Sequence, residues 1–307
     1  MHESNVSRRR LLGAAAAGAA AIGTSTVLSA PAEASSSGRV PRDRISIQLY
    51  TLRNQLNIDL EDSLEELAEI GYTRVEHAGF VGRTAAEFRA ALDAAGLRAT
   101  SGHAGIPQPW DADAWKRTLE DAAIVGNKFI VHPFFGLGPN GPIRDAAVYR
   151  AFAADLNKAG ELARRAGLSF GYHNHHLEFV RQDGTDRTGF DILTSQTDPR
   201  YVHLEVDLYW AWRGAHDPVD LIHRNRGRIK QVHVKDLKVD TSNFTNAPFE
   251  DPGAGIIDFK RIFRLADEAG LVEYIVERDD AGSPPRTPEQ ALDTARVGYE
   301  FLRGLRF

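Results

Sequence analysis

The chain has 307 residues, of which 42% are hydrophobic and 26% charged, with a formal net charge of −5. This composition is typical of a folded globular protein and excludes a disordered, collagen-like or polytopic membrane chain. The chain has no cysteine, which excludes disulfides, zinc–thiolate sites, iron–sulfur clusters and cysteine nucleophiles. Any metal must therefore bind to oxygen and imidazole ligands. The acidic balance also argues against nucleic acid as a partner.

The first 34 residues have the pattern of an export signal. Ser7 precedes three arginines (8–10), an alanine-rich apolar stretch follows, and Ala-Glu-Ala at 32–34 supplies a small-x-small cleavage pattern. The paired arginines resemble a twin-arginine signal. The apolar stretch is too rich in small residues for a stable transmembrane helix. We predict a signal peptide over 1–34, a linker over 35–43 and export to the periplasm or extracellular space; an uncleaved anchor or an unstructured tail is the alternative.

A repeating unit of amphipathic helix, glycine and short apolar strand occupies residues 44–307. The glycines stand where a helix end needs a left-handed residue, at positions 71, 96, 126, 167, 227 and 270. Two further strands, RISIQLY (44–50) and YVHLEVDLY (201–209), bring the total to eight. Strict β-α alternation with eight units predicts an α/β fold, a single (β/α)8 TIM barrel. A doubly wound open sheet is the alternative, but no G-x-G-x-x-G follows the first strand.

Ionisable residues stand at the predicted carboxyl ends of most strands, where the active sites of such barrels lie. Because side chains alternate along a strand, Glu205 and Asp207 share the interior face of the sixth strand, and His233 and Lys235 share that of the seventh. Glu277 ends the eighth strand. The remaining candidates, on strands two to five, are Glu76, His103, His132, His173 and His175.

Imidazole and carboxylate ligands without cysteine suit Mn²⁺, Co²⁺, Mg²⁺ or Zn²⁺. A divalent ion in such a site polarises a hydroxyl and a carbonyl on adjacent carbons, and a nearby base then moves a proton through an enediolate. Lys235 is a candidate base or oxyanion stabiliser, with a salt bridge to Glu205 or another acid as the alternative. Glu76 is a candidate for proton transfer or substrate contact.

The strand ends resemble those of the xylose-isomerase-like TIM-barrel superfamily, in particular its sugar phosphate isomerase/epimerase branch. The resemblance covers nearly the whole chain after the signal. It is carried by the strand-8 glutamate and by GYHNHHLEF (171–179), EVDLYW (205–210), VHVKD (232–236) and a G-x-G-x-x-D turn (253–258).

The resemblance implies a metal held by a strand-5 Glu, a strand-6 Asp, a strand-7 His and a strand-8 Glu. Asp207, His233 and Glu277 match, whereas His173 stands where the family has its strand-5 Glu. Since epimerases of the family use both glutamates as their acid–base pair, this departure argues against two-carboxylate epimerisation. Trp210 replaces a histidine that many members carry. We assign substrate contact to His103, His132, His175 and Trp210.

We predict a metal-dependent isomerase or epimerase that acts on a carbohydrate or keto-sugar by proton abstraction next to a carbonyl. One divalent ion is expected, with Mn²⁺ or Co²⁺ favoured over Mg²⁺ or Zn²⁺. Export argues against a phosphorylated substrate. The predicted catalytic residues are Glu277, His173, Lys235 and Glu76, and the predicted metal ligands are His173, Asp207, His233 and Glu277.

The first alternative is a lyase or hydrolase on keto-sugars or keto-glycosides, or a cyclitol dehydratase, with the same site. A non-catalytic sugar-binding barrel comes next. A DNA-repair nuclease of the endonuclease IV type is disfavoured by the acidic charge and by Trp210. The expected partner is a small sugar, without nucleic acid or stable membrane insertion, and a homodimer is left open.

Overall fold

A computed structural model describes residues 38–238 and 248–307 of the chain. Its main sheet has eight strands: β1 (Ile45–Ile47), β2 (Arg74–His77), β3 (Arg98–His103), β4 (Phe129–His132), β5 (Ser169–His173), β6 (Val202–Asp207), β7 (Ile229–Val234) and β8 (Glu273–Val276). All neighbours pair in parallel, in the order β1-β8-β7-β6-β5-β4-β3-β2. Gln48, directly after β1, bridges to Glu76 of β2 and brings the two edges together. The predicted (β/α)8 barrel is confirmed.

Helices surround this sheet and alternate with its strands. They are α1 (Arg53–Ile58), α2 (Leu60–Ile70), α3 (Ala85–Ala94), α4 (Ala112–Val125), α5 (Ala146–Arg165), α6 (Gly189–Gln196), α7 (Leu208–Arg213), α8 (Pro218–Arg224), α9 (Phe259–Phe263), α10 (Ala266–Ala269) and α11 (Gln290–Gly304). Short 3₁₀ turns cover Arg42–Arg44, Leu49–Leu52 and Leu177–Phe179. Two small antiparallel pairs join Leu137–Gly138 to Gly141–Pro142 and Asp236–Leu237 to Phe249–Glu250.

Local sequence signals set the helix ends. Thr84 and Glu87 form a reciprocal capping box at the start of α3, which satisfies backbone N–H groups that have no partner within the helix. Gly126 and Gly270 end α4 and α10 in the left-handed conformation, with φ of 92° and 85°. The other glycines predicted to end helices also have positive φ, at positions 71, 96, 167 and 227.

Alternate side chains of strand β6 belong to the apolar core and to the candidate site. Leu204 and Val206 belong to the buried apolar cluster of the barrel, whereas Glu205 and Asp207 contact polar groups of neighbouring strand ends. The apolar side chains therefore hold the sheet against the helices, and the ionisable ones line the barrel interior.

Two irregularities in register sit at the strand ends that carry the site. The pairing of β6 with β7 shifts between Leu204 and Glu205, and that of β2 with β3 shifts between Val75 and Glu76. Such shifts re-aim the side chains that follow them. Glu76 and Glu205 are thus carried by backbone that departs from regular pairing.

The predicted export signal (1–34) lies outside the described residues and stays a prediction, as does its cleavage. Of the predicted linker (35–43), the structure describes the part from residue 38, in which Val40 is buried before the turn at Arg42–Arg44. None of the helices in the described ranges has the length and apolar character that a membrane span requires.

Candidate active site

Five side chains from five strands meet at the carboxyl end of the barrel. His233 Nε2 lies 2.8 Å from Glu76 Oε1 and 3.0 Å from Glu205 Oε1. His103 Nε2 lies 2.8 Å from Glu205 Oε1 and 3.2 Å from Glu76 Oε1. His173 Nδ1 lies 3.0 Å from Glu205 Oε1. Two buried carboxylates are thus shared by three imidazoles.

Glu76 is fixed from behind by hydrogen bonds. Gln48 Nε2 donates to its Oε1 at 2.8 Å, and Ser101 Oγ donates to its Oε2 at 2.5 Å. Both donors are buried, so the carboxylate has little freedom to rotate. Glu76 therefore presents Oε1 to His103 and His233 in a fixed direction.

Lys235 is surrounded by a second set of carboxylates beside this cluster. Its Nζ lies 2.7 Å from Glu277 Oε2, 2.7 Å from Asp279 Oδ1 and 3.0 Å from Asp207 Oδ2. His233 Nδ1 lies 2.5 Å from the same Oε2 of Glu277, so His233 belongs to both sets. The salt bridge predicted from the sequence as the alternative to a catalytic role for Lys235 is present, and it involves three carboxylates.

Burial and neighbouring charge compete in setting the protonation of these groups. Burial opposes a charged imidazole, but Glu76 and Glu205 raise the pKa of His103 to about 10. The same competition, with carboxylates as neighbours, raises the pKa of His233 well above its usual value. Burial acts to raise the pKa of Glu277, yet the adjacent ammonium and imidazole lower it overall. Protons bound to His103 and His233 thus offset the negative charge of the carboxylates. A divalent cation that binds in the site can take the place of such protons.

His173 has the opposite behaviour. Burial, together with the positive charge expected on His233 and His103, lowers the pKa of His173 well below its usual value. The ring is therefore neutral, which is the form in which histidine binds metals. The ligand role of His173 stays a prediction, and a neutral ring is compatible with it.

The donor set fits a divalent metal ion. Asp207 Oδ2 is buried and accepts no hydrogen bond of regular geometry; its cationic neighbour is the Lys235 ammonium at 3.0 Å, so it is a carboxylate oxygen that can also bind a metal ion. Its neighbours are the imidazoles and carboxylates that Mn²⁺, Co²⁺ and Zn²⁺ accept. Possible ligand atoms form two overlapping groups: His103, His173, Glu205 and His233, and Asp207, His233 and Glu277. Three predicted ligands share the second group, and His173 Nε2 lies 3.8 Å from Asp207 Oδ2.

A cavity of about 400 Å³ opens onto these groups. This volume is in the usual range for a small-molecule site. Its walls include the half-exposed rings of Tyr50 and Phe134. Its ionisable lining consists of His103, His175, Lys235, Glu277 and Asp279.

Two residues predicted to contact substrate do not line this cavity. His132 Nδ1 accepts a hydrogen bond from the Ile106 backbone N–H at 2.9 Å, and His132 Nε2 lies 2.8 Å from the Phe134 carbonyl oxygen. Both ring nitrogens are thus engaged by the backbone. Trp210 packs behind the cavity, its ring 5.1 Å from that of His175, which does line it. In this structure His132 and Trp210 support the wall rather than form it.

Two acidic residues missed by the sequence prediction are central to the geometry. Glu205 was placed on the interior face but considered only as a partner for Lys235; it contacts three histidines instead. Asp279 was not considered, and it pairs with Lys235 at the cavity wall. Alternation beyond the end of β8 places Asp279 on the same side as Glu277, which is the signal that could have found it.

The sequence model described as xylose isomerase-like TIM barrel matches residues 64–303. The chain belongs to this family. An inosose dehydratase from Geobacillus kaustophilus (strain HTA426) is 26% identical over 259 residues, which cover 73% of this chain and 82% of the relative.

Two solved structures are similar to this chain in fold. A sugar phosphate isomerase/epimerase from Parabacteroides distasonis ATCC 8503 has a TM-score of 0.70 and 26% identity, covering 89% of this chain and 98% of that one. The IOLI protein, solved with a bound zinc atom, has a TM-score of 0.65 and 15% identity, covering 86% and 99%. At that identity the second likeness supports the fold alone.

Proposed function

We propose that this xylose isomerase-like barrel is a divalent-metal-dependent lyase that removes water from a cyclic or open-chain polyhydroxy ketone. The single observation that carries the proposal is the Lys235 ammonium, which reaches the cavity wall in contact with Glu277 and Asp279. An acid and carboxylate bases thus stand side by side, next to a donor set suited to a metal. The similarity to an inosose dehydratase over most of its length supports the same reaction class.

The metal, held by Asp207, His233, Glu277 and His173, would supply Lewis-acid polarisation of the ketone and its neighbouring hydroxyl. The protein's own residues carry the protons. A carboxylate on the cavity wall, Glu277 or Asp279, accepts the proton from the carbon next to the ketone, and the C–H electron pair enters an enediolate.

Elimination then breaks the C–O bond on the next carbon. Lys235 donates a proton to the departing hydroxyl, which leaves as water, and the enediolate electron pair forms the new double bond. Burial opposes the charge on Lys235, but Asp207, Asp279 and Glu277 raise its pKa well above the usual value. Lys235 is therefore a proton donor in the resting site rather than a base.

The charge of the cavity favours an uncharged substrate. Among the described residues that line it, Lys235 is the one lysine or arginine, and three carboxylates already surround its ammonium. The protonated His103 ring in the same lining is likewise paired, with Glu76 and Glu205, so no unpaired cation of the described lining is left to bind a phosphate group. The half-exposed rings of Tyr50 and Phe134 can pack against the C–H faces of a sugar or cyclitol ring.

The second candidate is the isomerase or epimerase predicted from the sequence. The Parabacteroides distasonis relative, 26% identical over nearly its whole length, favours it. The same site would serve, because an enediolate that is reprotonated gives an epimer or isomer instead of an elimination product.

One experiment separates the two reactions. The full chain is incubated with Mn²⁺ and a panel of inososes and keto-sugars in deuterated water, and products are followed by mass spectrometry and proton NMR. A product lighter by one water supports the lyase, and deuterium uptake without water loss supports the isomerase. Turnover should disappear in Glu277→Gln and persist in Glu300→Gln, a matched change on the exposed face of α11. If no ketone of the panel shows either water loss or deuterium exchange, both proposals are refuted.

A further inference from the structure

A second cavity of about 400 Å³ lies at the opposite end of the barrel. Lys128 directly precedes β4, Ser169 begins β5, and Lys230 is the second residue of β7, and all three line this cavity. In parallel strands these positions mark the amino-terminal end, whereas Lys235 and Glu277 stand at the carboxyl end. The two cavities have no lining residue in common.

Positive charge is concentrated in this cavity. Its described lining has four cationic side chains and no Asp or Glu. Arg200 is paired with Asp198, to whose Oδ1 its Nε donates and to whose Oδ2 its Nη2 donates. The other three, Lys128, Arg164 and Lys230, make no ion pair with any described residue. This is unusual in a chain whose net charge is −5, and like charges gathered in a concavity repel one another unless an anion joins them.

The buried part of the cavity lining, here called its floor, is mainly apolar. Phe129, Leu168 and Phe170 are buried and line it, and they belong to strands or strand starts of the barrel. His203 adds a buried ring whose Nε2 is engaged with Gln231 Oε1 at 3.0 Å. A ligand that fills the space would therefore set an apolar body on this floor and direct an oxyanion to the cationic rim. Concave walls of low dielectric strengthen such an attraction compared with a flat surface.

We propose that this cavity is a binding site for a small organic anion, a carboxylate or phosphate on an apolar or aromatic body. The guanidinium of Arg164 and the ammonium groups of Lys128 and Lys230 would bind the oxyanion through charge-assisted hydrogen bonds. This proposal is independent of the reaction proposed for the other end of the barrel.

The test uses phenyl phosphate, benzoate and the uncharged benzamide as probes, titrated into the full chain by isothermal calorimetry. The two anions are expected to bind with a dissociation constant of about 1 mM or tighter, and benzamide far more weakly. Tighter binding of phenyl phosphate assigns a phosphoryl ligand, and tighter binding of benzoate assigns a carboxylate. Affinity should fall as salt is added, because exposed charges are screened.

Variants locate the binding. Arg164→Gln and Lys230→Gln should each weaken anion binding by about tenfold, the loss of one charge-assisted contact. Arg165→Gln is the matched control, since Arg165 is the next residue in α5, pairs with Glu161 and does not line the cavity. Glu277→Gln should leave anion binding unchanged. All these cations are at least partly exposed, so folding is expected to survive and is checked by thermal unfolding.

The proposal is overturned by any of three results. The first is that the anions fail to bind at millimolar concentration; this is also the result expected if the cations instead bind an acidic surface of another protein. Binding is equal in Arg164→Gln, Lys230→Gln and Arg165→Gln, which indicates non-specific attraction. Binding is lost in Glu277→Gln, which places it at the carboxyl end of the barrel.

Discussion

Lys235 Nζ lies 2.7 Å from Glu277 Oε2, so an ammonium group stands directly beside a carboxylate proposed to bind a metal ion. The two groups come from neighbouring strand ends, after β7 and β8. An ammonium this close weakens the attraction of the carboxylate for a second cation, while it supplies a proton to the cavity. Metal binding and catalysis should therefore respond differently to changes at these two positions.

Replacing Lys235 by glutamine is expected to separate the two properties. Lys235→Gln removes a positive charge from the carboxylates, so it should retain or tighten metal binding while turnover falls by about 100-fold, a usual contribution of one acid–base group. Glu277→Gln should lose both metal and turnover. Elemental analysis after dialysis against limiting Mn²⁺, together with kinetics on the reactive ketone, measures both. Loss of the metal in Lys235→Gln would show instead that Lys235 organises the ligands.

Glu76 is expected to act on the reaction through the histidines. It lies outside the cavity lining, and its Oε1 faces His103 and His233. Glu76→Gln should lower kcat by about tenfold and leave KM and metal content close to those of the wild type. Glu61→Gln, a matched change at an exposed position of α2, should alter none of these. If Glu76→Gln strips the metal, the carboxylate is itself a ligand.

Changing His132 to glutamine should affect mainly stability, whereas changing His175 to glutamine should affect mainly KM. His132 is engaged by two backbone groups, so His132→Gln is expected to lower the free energy of unfolding by about 1–3 kcal/mol with little change in KM. His175 lines the cavity, so His175→Gln should raise KM and affect stability less. Urea unfolding and steady-state kinetics distinguish these effects. A raised KM with unchanged stability in His132→Gln would restore the substrate contact predicted from the sequence.

The stability of the barrel should depend on pH through Glu273. Burial raises the pKa of this fully buried carboxyl to about 7, and Thr100 Oγ1 and Gln231 Nε2 are its hydrogen-bond partners. Because the pKa is higher in the folded than in the unfolded chain, the carboxyl is accommodated without penalty below about pH 4.5. The free energy of unfolding then falls as the pH rises from about 4.5 through 7, because ionising the buried carboxyl is more costly in the folded chain.

Glu273→Gln, which stays neutral, tests this dependence. Relative to wild type, the variant should gain about 3 kcal/mol in free energy of unfolding between pH 4.5 and pH 7.5. Denaturant unfolding across this range measures the difference, with Glu300→Gln on the exposed face of α11 as the control. A constant difference between Glu273→Gln and wild type at all pH values would contradict the buried protonated carboxyl.

The barrel could be predicted because its signals are local. The alternation in YVHLEVDLY, the amphipathic helices and the glycines with positive φ each act within a few residues of the chain. The same alternation placed Asp207, His233 and Lys235 inside the barrel. The family resemblance then identified the positions of Glu277 and His173 among many ionisable strand ends.

Tertiary structure decided which of these side chains meet. His103 and Glu205 are 102 residues apart in sequence and 2.8 Å apart in space, because the register across the four strands β3 to β6 and a shift before Glu205 bring them together. His132 ends its strand like the others but is held by backbone groups of Ile106 and Phe134, which no periodicity reveals. Strand alternation determines the face on which a residue lies, whereas its partners depend on long-range register and loop geometry that a local pattern does not encode.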